Sequence, residues 1–72
     1  MVNIRDNLTL KACRIIAGIK AEDIAAATGV TVDTVYKWER GKTFPTIVQM
    51  KNIAKYFSDK GYYVDVNELK FF

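Results

Sequence analysis

At 72 residues, with a formal net charge of +3 and half of its residues apolar, the chain has the size of one domain (residues 1–72) and the means to build a core rather than stay disordered. A lone cysteine, Cys13, excludes an internal disulfide and a cysteine-based zinc site, and there is no histidine to serve as a metal ligand or general base. No stretch approaches the ~20 apolar residues that cross a bilayer, and Arg5 and Asp6 break the start where a secretory leader would run apolar, so a soluble protein of the cytoplasm is expected.

In chain order, the short polar side chains between Asn7 and Thr9 can cap a first helix. Leu10, Cys13, Ile16 and Ala17 then recur at helical spacing, with Cys13 read as a buried thiol, and Gly18 ends the element. A second helix starts at Lys20 or Ala21, where Glu22 and Asp23 complement the positive end of the helix dipole. Ile24 and Ala25 point inward, and the small Ala25 allows a neighbouring helix to approach. Gly29 supplies the backbone freedom for a sharp turn, and Val30 fills the corner. Thr31 caps a third helix that carries Val35 and Trp38 inward and runs to about Arg40, where Gly41 breaks it. The pair of short helices spans about residues 20–40.

Pro45 and Thr46 open a fourth helix, whose Ile47, Met50, Ile53, Ala54 and Phe57 form an apolar stripe toward a core before Gly61 closes it. The last residues read two ways. Tyr62, Val64 and Val66 alternate with Tyr63, Asp65 and Asn67 as in a strand, whereas Asp65 and Glu68 have capping-box spacing ahead of Leu69 and Phe71. An extended step into a short fifth helix is the expectation.

Charge is unevenly placed. Lys37, Arg40, Lys42, Lys51 and Lys55 face the single anion Glu39, while from Asp59 onward Lys60 and Lys70 meet Asp59, Asp65 and Glu68. Positive charge therefore gathers on the third helix, its exit loop and the fourth helix, as a footprint for phosphate requires. Catalysis has no comparable signature: no metal cluster or Gly-rich phosphate loop is present, and Glu22 and Asp23, adjacent on a helix, cannot face one substrate.

Over roughly Leu10 to Phe57 the chain resembles the helix-turn-helix proteins of the phage repressor and Cro type, the xenobiotic-response-element family. The match places Ala25 and Gly29 at the fifth and ninth motif positions and Ile24, Val30, Val35 and Trp38 at the apolar ones, with Glu39-Arg40-Gly41 and Pro45 forming the helix exit. It departs from the pattern at Thr28, where an apolar residue is usual, and at Ala21, where glutamine often clamps a phosphate. A hydroxyl at position 28 can bond back to its own helix, and the Ala21 amide at a helix start remains able to meet a phosphate.

The resemblance implies an all-α, compact, four- to five-helix lambda-repressor-like domain, bacterial or phage-encoded, that binds double-stranded DNA and regulates transcription without a cofactor and without enzymatic chemistry. It implies base contacts from the third helix through Val32, Asp33, Thr34, Tyr36 and Lys37, with Asp33 equally readable as a helix-start carboxylate and Tyr36 as a backbone contact. Phosphate contacts fall to Lys20, Ala21, Arg40, Lys42 and Thr43. Arg14 and Glu39 are implied to pair and tie the first helix to the end of the third. The aromatic segment 62–72, with Tyr62, Tyr63, Phe71 and Phe72, reads either as a lid over the helices or as a homodimer interface. A second reading of the whole chain is a protein-binding module on the same fold, an antitoxin or repressor modulator with a protein partner and weak DNA binding, favoured by Ala21, Asp33 and the aromatic tail.

Overall fold

The computed structural model describes residues 2–4 and 9–64. In chain order it contains β1 (Val2–Ile4), α1 (Leu10–Ala17), α2 (Ala21–Thr28), α3 (Val32–Glu39), α4 (Ile47–Asp59) and β2 (Tyr62–Val64). The helical punctuation is set by the side chains. The Thr9 hydroxyl accepts from the Ala12 amide, the Thr31 hydroxyl from Thr34, and the Thr46 hydroxyl from Gln49 at 3.1 Å while the Gln49 amide oxygen accepts from the Thr46 N–H at 2.8 Å. That last exchange is a full capping box and satisfies two otherwise orphaned donors. Gly29 has the expected left-handed conformation, φ 74°, and its N–H bonds back to the Ala25 carbonyl. A side chain at that φ would be strained even though the space beside it is open.

The four helices enclose one core of Leu10, Cys13, Ile19, Ala21, Ile24, Ala25, Val35, Trp38, Ile53, Phe57 and Val64, with Val30 and Met50 packed partly buried against it. The fold is all-α in its helix-turn-helix body, as expected, and α2 packs against both α3 and α4. The bulk of Trp38 and Phe57 fills the space between helices that small residues such as Ala25 allow to approach.

Two apolar side chains depart from the stripes read in the sequence. Ile16 is half exposed, because it lies about 100° further round α1 than Ala17, outside the arc of Leu10 and Cys13. Ile47 is exposed at the first residue of α4: two successive three-residue steps back from Ile53 rotate the stripe by ~120° off the core. Conversely, Ile19 in the α1–α2 connection, Ala21 and Val64 are core residues that the helical periodicities do not single out.

The other addition is a two-stranded parallel sheet, in which Val2 pairs with Tyr62, Asn3 with Tyr63 and Ile4 with Val64. The extended step at residues 62–64 is thus a strand, and its inward residue Val64 extends the core against α4. The expected short fifth helix lies outside the described residues, as do Phe71 and Phe72.

Candidate nucleic-acid interface

The third helix owes its orientation to two anchors. On its inner side Val35 is fully buried and Trp38 nearly so. At its end, Glu39 meets Arg14 of α1 in a two-pronged pair: Nε donates to Oε2 at 2.8 Å and Nη2 to Oε1 at 3.1 Å. The third guanidinium nitrogen, Nη1, donates to the Ile19 carbonyl at 3.3 Å, so one arginine links α1, the α1–α2 connection and α3. Both side chains are largely out of water, 13% exposed for Arg14 and 5% for Glu39. The hydrogen bonds from Glu39 raise the Arg14 pKa above its already high ordinary value, against the opposing pull of burial. The pair is therefore permanently charged and shaped as a rigid fork.

With Val35, Trp38 and Glu39 committed, the rest of α3 is presented outward to differing degrees. Asp33, Tyr36 and Lys37 are exposed; Val32 and Thr34 are half-buried, and Val32 rests partly on the core rather than standing free. The Thr34 hydroxyl lies 3.1 Å from that of Thr31, which orients both at the helix start. Asp33 and Lys37, one turn apart, form an exposed ion pair at 3.4 Å. Such a pair contributes little stability in water, so the Lys37 ammonium is readily released to another acceptor.

The flanking residues expected at phosphates separate into two groups. Arg40, Lys42 and Thr43 are exposed in the loop after α3, and Lys20 is exposed at the start of α2. The Ala21 side chain is instead buried, 2% exposed, so only its amide is available. Within α2 the first amide with a backbone acceptor is that of Asp23, bonded to the Lys20 carbonyl at 3.0 Å, which leaves those of Ala21 and Glu22 without one. The Lys20 amide is taken by the Asp23 carboxylate at 3.0 Å. Thr28, the other departure from the motif, donates its hydroxyl to the Ile24 carbonyl at 2.8 Å, which removes the cost of a polar group at a half-buried position.

At the far end of the chain, Tyr62 is half-buried and packs against the core, while Tyr63 stays about half exposed. The two tyrosines therefore differ: Tyr62 belongs largely to its own fold, as a lid residue would, and Tyr63 is open to a partner. Sequence reasoning passed over Lys11. It lies one turn before Arg14 on α1 and, with Arg14, Tyr36, Glu39 and Arg40, lines a hollow of about 240 Å³ between α1 and α3. Its three-residue spacing from Arg14 was the available signal.

No group of three or more metal-ligating side chains occurs among the described residues, nor a helix long and apolar enough to cross a membrane.

An α2–turn–α3 pair fixed from behind and basic at its exit is the arrangement of a helix-turn-helix protein. The helix-turn-helix family model matches residues 10–58, more than half of the chain, and the chain belongs to that family, in its xenobiotic-response-element and Cro-type branch. This is a DNA-binding, non-enzymatic family, and the chain is accordingly a DNA-binding helix-turn-helix regulator. Neither a search of curated proteins nor one of solved structures found a match.

Proposed function

We propose that the protein is a sequence-specific transcriptional regulator of the repressor type, which lays α3 in the major groove of its operator. The observation that carries this reading is the division of α3 into a locked inner side, Val35, Trp38 and Glu39, and an outer side of Asp33, Tyr36 and Lys37 with no core to pack against. Lys37 released from Asp33 donates to a guanine edge; the exposed part of Val32 meets a thymine methyl; Thr34 and Tyr36 contact base edges or the adjoining backbone. Asp33 either accepts from a cytosine amine or serves the helix start and its ion pair with Lys37. Lys20, the Ala21 amide, Arg40, Lys42 and Thr43 grip phosphates and fix the register.

Selection from a random pool of duplexes at near-physiological salt tests this. The expected product is an inverted repeat with half-sites about one helical turn apart, the signature of a symmetric dimer. Retention of no preferred sequence by the folded protein would sink the reading and favour a protein-binding module.

The homodimer is proposed to form through the aromatic C-terminal segment, with Tyr63 as the exposed contact in β2 and Phe71 and Phe72 beyond it. Because Val64 is a core residue, a fair test removes only residues 65–72. The expected result is a folded monomer with much weaker operator binding; a truncated chain that still sediments as a dimer refutes this interface.

A further inference from the structure

The hollow between α1 and α3 is lined by Lys11, Arg14, Tyr36, Glu39 and Arg40. Arg14 and Glu39 neutralise one another within it, which leaves the Lys11 ammonium and the Arg40 guanidinium as its net charge. Both of these residues are exposed, and among the described residues neither side chain has an acidic partner. Tyr36 adds a hydroxyl that can donate, on a side chain 39% exposed. Two unpaired cations and a phenol around an open concavity, on a floor made rigid by a buried fork, form a receptor for one compact anion rather than a solvated surface.

We propose that this hollow seats a single phosphodiester of the DNA backbone, held from one side by Lys11 of α1 and from the other by Arg40 and the Tyr36 hydroxyl. The proposal rests on the DNA-binding reading above and deepens it. It brings α1 into the interface, assigns Tyr36 to the backbone rather than to a base, and gives the Arg14–Glu39 pair a second task as the neutral floor between the cations. Lys11 reaches the hollow because it lies one turn before Arg14, and Arg40 because it lies one turn after Tyr36.

The test is the salt dependence of binding to one fixed duplex by the full chain, the K11Q and R40Q variants, and their double variant. One neutralised phosphate contributes about 0.9 to the slope of log affinity against log salt, or about an eightfold change between 1 M and 0.1 M. The double variant is expected to lose about 0.9 of slope, with each single variant losing only part of it, because both cations serve the same phosphate. Two full and additive losses mean two separate phosphates and overturn the shared seat. An unchanged slope in all three variants, with the parent protein still steeply salt-dependent, overturns the proposal and leaves the DNA reading intact. A parent protein that does not bind duplex overturns both. Since Lys11 and Arg40 are exposed, thermal melts of the variants are expected to match the parent. Tyr36→Phe provides the second arm: a uniform loss across duplex sequences is expected, and a loss confined to some sequences places the hydroxyl on a base instead.

Discussion

Replacing Glu39 with alanine is expected to cost ~3–5 kcal/mol of stability and to weaken DNA binding with it, because the change leaves the Arg14 guanidinium buried without its counter-charge. At the size of this chain each kcal/mol moves the melting temperature by ~4–8 °C, so a fall on the order of 15–25 °C is expected in a thermal melt. Domains of this kind have total stabilities of only ~5–15 kcal/mol, so the variant is expected to unfold partly near physiological temperature. The rescue is as informative as the damage. Arg14→Met combined with Glu39→Leu removes both charges and fills similar volume, and it should recover most of the melting temperature. DNA affinity lost without any change in melting would show that Glu39 touches the ligand rather than positioning α3.

Truncating Trp38 to alanine is expected to be as severe, at ~3–5 kcal/mol, since the side chain is 2% exposed and is the largest in the core. The cavity would open beneath α3, so the helix loses its backing at the same time as the core loses contacts. Trp38→Phe keeps a ring in place and should cost less. Because Trp38 is the one tryptophan in the chain, unfolding of the variant has to be followed by circular dichroism rather than intrinsic tryptophan fluorescence. A stability within ~1 kcal/mol of the parent would overturn the role of Trp38 as the anchor of this helix.

The parts of the fold that were readable in the sequence are those fixed by short-range rules. Thr31 and Thr46 announce helix starts because a hydroxyl beside free amides has one economical use, and Gly29 announces a turn because few other residues tolerate its φ. Val35 and Trp38 could be placed inward because three-residue spacing puts them on one side of a single helix. The less readable parts depend on partners distant in sequence. Val2–Ile4 is too short to show a period, and its pairing with Tyr62–Val64 is set by where the helices deliver the two segments. Ile16 and Ile47 defeat the periodicity for a related reason: an apolar residue at the margin of a stripe is buried only if a neighbouring helix reaches it. At the interface, the outer side of α3 was legible from the motif, whereas the ion pair between Asp33 and Lys37 and the meeting of Lys11 with Arg40 depend on the folded arrangement of side chains.

The parallel pairing of β1 with β2 has a consequence for how the molecule assembles. Its partners stand about sixty positions apart, whereas the contacts between α2 and α3 join neighbours across a short turn. Joining distant segments costs chain entropy that only a nearly finished structure can offset, so the helices are free to form and dock first and the strand clasp closes last. On the way back to the unfolded chain the order reverses. The clasp is then the first structure to open, and the helix-turn-helix body the last to melt.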